Sequence, residues 1–140
     1  MRRLFFDANV LFTAAHNPMG KAAFVIELAG RGHWDVLTSS FAVEEARRNL
    51  ARKYPDCLPS FERIIADMAV IVTCRAGECS LPLPEKDRPI FAAAHQCGAT
   101  HLLTGDKRHF GPFMNDPSQT AGVRIQTVAD FLGDIACAVG

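Results

Sequence analysis

Residues 101–110, HLLTGDKRHF, decide how this chain is interpreted. The first four residues predict a short apolar strand that stops at Gly105, and Asp106 follows directly. A predicted helix precedes this strand, so it belongs to an alternating helix–strand pattern. In open parallel sheets, ligands bind beyond the carboxyl ends of the strands, where the strand order reverses. Asp106 is therefore a candidate functional carboxylate, although Gly-Asp is also common turn chemistry.

The start of the chain repeats this arrangement. Residues 3–6 predict a short buried strand, and Asp7 follows it as Asp106 follows the later strand. Apolar residues at helical spacing predict a helical turn over residues 10–15, with Asn9 as its cap. Two carboxylates thus take equivalent places at the ends of two strands.

The remaining pattern alternates helices with strands. Further helices are predicted over residues 21–28, 41–53 and 59–68, from Asp87 or Arg88 to Gly98, and from Thr127 onward. Further strands are predicted over residues 34–38, 70–73 and 123–126, and residues 74–84 and 111–120 are predicted to be irregular. Such alternation predicts one α/β domain, residues 1–140, with a doubly wound parallel sheet between helical layers. A five-stranded sheet of order 3-2-1-4-5 sets the strands before Asp7 and Asp106 side by side.

Composition and charge exclude several classes of protein. The 140 residues are 49% hydrophobic and 21% charged, as in an ordinary soluble domain. The 15 basic and 15 acidic residues argue against a tight non-specific nucleic-acid binder but allow a nuclease with a local basic rim. No stretch approaches the roughly 20 apolar residues of a membrane span. The cysteines form no CxxC pair and are predicted to be buried free thiols of a cytoplasmic protein: Cys57, Cys74, Cys79, Cys97 and Cys137.

The helix predicted over residues 41–53 carries a third candidate acid. Its apolar stripe comprises Ala42, Val43, Ala46 and Leu50. At about 100° per residue, Glu45 lies at the edge of this stripe and Glu44 points away from it. Glu45 is therefore the carboxylate that can reach a cleft. The alternative is a solvated glutamate with Arg48 or Asn49 as its helical neighbour.

Neighbouring carboxylates require a cation or a raised pKa, because like charges repel. Oxygen ligands suit hard cations such as Mg²⁺ or Mn²⁺. Asp87 begins a helix expected at the same sheet edge, where it is an N-cap, a metal ligand or both. Together with Asp7, Glu45 and Asp106, it gives an acidic cleft of the kind that metal-dependent phosphodiester hydrolysis uses.

These residues resemble the PIN-domain family. The resemblance is carried by FFDANVL at residues 5–11, Glu45 in EARRNL, Asp87 with the following AAA and Gly98-Ala99, and LTGD at residues 103–106. It covers nearly the whole chain and keeps the order of all four acids. It implies a doubly wound five-stranded sheet and Mg²⁺- or Mn²⁺-dependent cleavage of RNA. Many bacterial members are toxins held inactive by a small antitoxin protein, and they often form homodimers.

The resemblance also implies roles for individual residues. Asp7, Glu45, Asp87 and Asp106 match the acidic metal-binding positions, and Asn9 and Thr104 match polar positions around the metal. Members often carry a further acid shortly after the Asp106 position. This chain has Lys107, Arg108 and His109 there instead, and these three residues form a cationic edge. We expect one bound ion, with Glu45 a ligand directly or through water. The candidates for contacts to phosphate or RNA are Lys107, Arg108, His109 and Arg48.

Two other classes of function compete with the nuclease. One is a PIN-like module without activity that binds only RNA or a partner protein. The other is a phosphoryl-aspartate protein. A receiver domain would need paired acids after the first strand, and a phosphatase would need a second aspartate at the Asn9 position, so both are disfavoured.

Overall fold

The protein is described by a computed structural model over residues 1–71 and 81–139. Its strands form one five-stranded parallel sheet of order β3-β2-β1-β4-β5, which confirms the predicted order. The strands are β1 (Arg3–Phe6), β2 (Asp35–Ser39), β3 (Ala69–Ile71), β4 (His101–Leu103) and β5 (Arg124–Gln126). Of the strand predicted over residues 70–73, the last two residues lie outside the described part of the chain, as does most of the predicted loop.

Helices flank this sheet. The described residues form α1 (Ala8–His16), α2 (Lys21–Gly30), α3 (Ser40–Lys53), α4 (Leu58–Ala66), α5 (Arg88–Gln96), α6 (Lys107–Phe110) and α7 (Val128–Val139). Two 3₁₀ turns span Pro55–Cys57 and Gly111–Phe113. Helix α5 ends before Gly98, whose positive φ of 73° suits glycine. No helix among the described residues combines the length and apolar character needed to cross a membrane.

Strand β1 forms the centre of the core. Leu4, Phe5 and Phe6 are completely buried in succession, which is the pattern of a strand covered on both faces. It pairs with β2 on one side and with β4 on the other, and Phe6 lies opposite Leu103. The strand order reverses between β1 and β4, so the residues that follow these two strands meet at the switch point.

Two local predictions were wrong, and one helix was not predicted. Asn9 does not cap α1, because the preceding Asp7 has extended backbone and its side chain accepts from the amide of Ala8. Residues 107–110, for which no element was predicted, form α6, a helix too short to show a hydrophobic period. The free thiols are less buried than predicted, since Cys57 and Cys97 are half-buried and Cys137 is exposed. Cys74 and Cys79 lie outside the described residues.

Candidate metal centre

Asp7 lies at the carboxyl end of β1 and is almost completely buried. Its amide donates to the carbonyl of Leu103 at 3.0 Å, which continues the ladder between β1 and β4. Its Oδ1 accepts from the amide of Ala8 at 2.7 Å and thereby caps α1. Only 4% of the residue is exposed. One side chain therefore ends the strand and starts the helix, which fixes its position at the sheet edge.

Thr104 and Asn9 tie the end of β1 to the end of β4. The hydroxyl of Thr104 donates to Asp7 Oδ2 at 2.8 Å and accepts from the amide of Asp106 at 3.0 Å. Asn9 Nδ2 donates to Asp7 Oδ2 at 3.2 Å, and Asn9 Oδ1 accepts from the amide of Gly105 at 2.7 Å. Two of these bonds, from Thr104 to Asp7 and from Gly105 to Asn9, join residues that are more than 90 positions apart in the chain. Both polar residues thus set the geometry of the two strand-end aspartates.

Burial dominates the acid–base behaviour of Asp7. The pKa of Asp7 is raised from 3.8 to about 6; loss of hydration is the largest cause, and the charges of Glu45 and Asp87 contribute to the rise. The hydrogen bonds from Thr104 and Ala8 act in the opposite direction because they stabilise the ionised form. A cation beside Asp7 would remove much of the cost of keeping this carboxylate charged.

Asp106 begins the short helix α6 and contacts its third residue twice. Its Oδ1 accepts from the amide of His109 at 3.1 Å, so Asp106 is the cap of this helix. Its Oδ2 lies 2.9 Å from His109 Nδ1. Only 21% of the side chain is exposed. Asp106 therefore holds the imidazole of His109 against the acidic cluster.

Asp87 occupies the N-cap position of α5 without acting as a cap. Its side chain makes no hydrogen bond to the first turn of that helix. Instead, Asp87 Oδ2 lies 2.9 Å from His109 Nδ1, which also lies 2.9 Å from Asp106 Oδ2. Burial and the charge of Asp106 raise the pKa of Asp87, and the nearby His109 and Lys86 counteract this.

The Oδ2 atom of Asp87 lacks a hydrogen-bond donor. It is buried and accepts no hydrogen bond from any residue that the structure describes, because its contact with His109 lacks hydrogen-bond geometry. Leaving such an atom unsatisfied costs about 1–3 kcal/mol or more. Donor atoms of Asp87, Asp106 and His109 lie within 4.8 Å of one another and form the group of described residues that could hold a metal ion. The orphaned oxygen and this donor set fit a divalent cation.

Glu45 faces the same region from α3. It is half-buried, whereas Glu44 is exposed and pairs with Arg47 at 2.9 Å, as the helical phase predicts. Its charge acts on Asp7. Glu45, Asn9 and Asp106 line a hollow of about 830 Å³, here named the basic hollow, together with Arg48, Asn49, Ala51, Arg52 and Lys86. The structure thus brings all four predicted acids to one edge of the sheet.

The basic hollow differs from the predicted cationic edge. Arg48 lines it as expected, but Lys107 and Arg108 are exposed on α6 and do not line it. Arg52 and Lys86 were not predicted. Arg52 lies seven residues after Glu45 on the same helix face, a spacing that could have identified it, whereas Lys86 is signalled only by preceding Asp87. His109 was predicted to contact phosphate, and its Nδ1 instead faces the acids.

A second hollow of about 680 Å³ adjoins the acids at Asp106. It shares Asn9 and Asp106 with the basic hollow, and much of its lining is small or apolar. Val10, Ala22 and Ala129 are among these residues. Asn9 and Asp106 are therefore shared by a hollow with basic side chains and one whose lining is mostly small or apolar.

Comparison with known proteins identifies relatives of this arrangement. A sequence profile described as PIN domain matches residues 3–108, which include all four acids. No curated protein matches the chain by sequence.

Solved structures share the fold at low sequence identity. VapBC2 from Rickettsia felis, bound to a promoter DNA fragment, aligns with a TM-score of 0.66 and 14% identity over 89% of this chain and 98% of the other. DNA-bound VapBC from Salmonella typhimurium aligns with a TM-score of 0.63 and 16% identity over 91% of this chain and 99% of the other. Mycobacterium tuberculosis VapC20, a toxin that cleaves the sarcin–ricin loop, aligns with a TM-score of 0.56 and 13% identity over 75% of this chain and 91% of the other. At these identities the likeness shows the fold.

Proposed function

The chain belongs to the PIN-domain family, and from that premise we propose that it is a Mg²⁺- or Mn²⁺-dependent endoribonuclease. The reaction is hydrolysis of RNA phosphodiester bonds at the acidic cluster. The four acids are Asp7, Glu45, Asp87 and Asp106.

One observation carries this proposal. Asp87 is 7% exposed, has an oxygen without a hydrogen-bond donor among the described residues, and does not cap its own helix. It lies close enough to Asp106 for that charge to raise its pKa. Two neighbouring carboxylates that are mostly buried repel each other, and a bound cation removes this cost. The position of these acids at the switch point of the sheet is where ligands of such folds bind. The alternative of a structural N-cap loses its support, because the capping bond is not made.

The acids have different parts in holding the ion. Asp87 and Asp106 would bind the ion through their carboxylate oxygens. Asp7 and Glu45 add negative charge and would bind the ion directly or through water. When bound, a divalent ion supplies a nucleophilic water at neutral pH and stabilises the charge that develops on phosphate. Thr104 and Asn9 hold Asp7 in place, so that the carboxylate needs little rearrangement to meet the cation.

The basic hollow provides the surface for the RNA backbone. Arg48, Arg52 and Lys86 line it beside Glu45 and Asp106, so phosphates bound there would lie next to the acids. Arginine recognises phosphate through paired hydrogen bonds. The zero net charge of the chain makes this local cluster the source of RNA affinity. The second hollow, whose lining is mostly small or apolar, can receive an adjacent base.

We also propose a small antitoxin protein as a partner. Support comes from the similar structures, because VapBC2 and VapBC were each determined in complex with DNA and VapC20 is a toxin. A cytoplasmic, homodimeric toxin is the form that we expect. Expression of the chain in a bacterium should arrest growth, and the Asp106→Asn variant should not. Light scattering of the purified chain reports its oligomeric state.

Cleavage of single-stranded RNA tests the enzymatic proposal. Purified protein should cleave RNA when Mn²⁺ or Mg²⁺ is added, and Asp87→Asn and Asp106→Asn should each lower the rate by about a hundredfold or more. Glu44→Gln is the matched control, since Glu44 is exposed and points away from the acids. Wild-type protein that binds RNA but cleaves no member of a broad panel with either metal would support the inactive binding module instead.

A further inference from the structure

His109 contacts two acids of the cluster, Asp87 and Asp106. Its Nδ1 is 2.9 Å from Asp87 Oδ2 and 2.9 Å from Asp106 Oδ2. The amide of His109 donates to Asp106 Oδ1, so the main chain fixes the ring beside the acids. The side chain is about three-quarters buried, with 24% exposed. This position results from the fold and is not a contact of a freely moving surface side chain.

Hydrogen bonding alone does not account for the position of His109. Nδ1 has at most one hydrogen, and the contact with Asp106 has hydrogen-bond geometry. The contact with Asp87 does not, and Asp87 Oδ2 stays buried without a donor among the described residues. Asp87 also leaves the amides of α5 uncapped. Nδ1 therefore lies near two carboxylate oxygens, and its single hydrogen can satisfy only one of them.

The spacing of these atoms matches a shared cation. Adjacent ligands of an octahedral ion with bonds of about 2.1 Å lie about 3.0 Å apart. Nδ1 lies at that separation from each of the two oxygens. A neutral imidazole with its hydrogen on Nε2 presents a lone pair at Nδ1.

We propose that His109 Nδ1 is a metal ligand alongside Asp87 and Asp106, and that this nitrogen makes the site prefer Mn²⁺ to Mg²⁺. Imidazole suits first-row transition metals, whereas Mg²⁺ takes oxygen ligands almost exclusively. This inference rests on the proposed metal-dependent function and specifies its ion. It also gives His109 a different role from the one expected from the sequence. Residues 107–109 replace the further acid of the family and were expected to bind phosphate, whereas His109 would bind the metal ion.

Pulsed electron paramagnetic resonance of bound Mn²⁺ tests the ligand directly. Wild-type protein should show a histidine ¹⁴N coupling to Mn²⁺, and His109→Ala should lose it. His95→Ala is the matched control, because His95 is exposed and stacks on Phe91 near the far end of α5. Mn²⁺ bound to wild-type protein without ¹⁴N coupling would overturn the assignment, as would a coupling that survives in His109→Ala.

Calorimetric titration with each metal tests the preference. The ratio of Mn²⁺ to Mg²⁺ affinity should fall about tenfold in His109→Ala and stay unchanged in His95→Ala. Tighter binding of both metals by His109→Ala would instead show that His109 competes with the ion. RNA cleavage is measured on the same samples. Cleavage without ¹⁴N coupling leaves the proposed function standing and removes this inference, whereas coupling without cleavage does the reverse.

Discussion

Asp7 is a carboxylate that the fold buries at a cost. Its oxygens receive bonds from Ala8, Thr104 and Asn9, yet burial still raises its pKa to about 6. The sequence was enough to predict Asp7 directly after a strand, and the resemblance to PIN domains led us to expect Asn9 and Thr104 around the same site. Which of the two residues caps α1 was not predictable, because Asp7 and Asn9 are both good N-cap residues and only the backbone conformation selects between them.

We predict that the metal-free protein loses stability as the pH rises from about 4 to about 6. In this window the unfolded chain has released the Asp7 proton while the folded chain retains it, so rising pH favours the unfolded state. At pH 7 the cost is about 3 kcal/mol. Asp7→Asn cannot ionise and should remove this part of the dependence, which denaturant unfolding across the range measures.

The control for this prediction is Asp130→Asn, which changes an exposed carboxylate. It should keep the wild-type dependence. Equal slopes in wild-type protein and Asp7→Asn would contradict the raised pKa of Asp7.

Helix α3 connects the acids to the RNA-binding surface. Four residues of this helix line the basic hollow: Glu45, then Arg48 and Asn49 three and four residues later, and Arg52 one further turn along. The apolar stripe of this helix was predicted correctly, and all four of its residues are buried. Counting charges was less informative, because Arg47 pairs at 2.9 Å with both Glu44 and Glu62 and is not available to phosphate.

We predict that Arg48→Gln combined with Arg52→Gln weakens RNA binding and reduces its salt dependence. Each lost phosphate contact lowers the logarithmic salt slope by about 0.7 for a single strand, so the expected change is about 1.4. Fluorescence anisotropy at several salt concentrations measures this slope. Arg47→Gln is the control and should leave the slope unchanged. An equal effect of both variants would contradict the assignment of the basic hollow.

The strand order brings together acids from distant parts of the chain. The alternation of helices and strands was sufficient to predict the order 3-2-1-4-5 and therefore the meeting of Asp7 with Asp106. It was not sufficient to place Lys86 in the basic hollow or Nδ1 of His109 between Asp87 and Asp106. Those contacts depend on how α5 and α6 are set against each other, and no local pattern in the sequence encodes that arrangement.

The central claim is that the residues following β1 and β4 share one divalent ion with Asp87. A crystal of the protein grown with Mn²⁺, with anomalous scattering recorded at the manganese edge, tests it most directly. We predict one strong anomalous peak within about 2–2.5 Å of carboxylate oxygens of Asp87 and Asp106, on the side that faces Asp7. A peak at saturating Mn²⁺ that lies only elsewhere on the protein, or no peak at all, would contradict the claim.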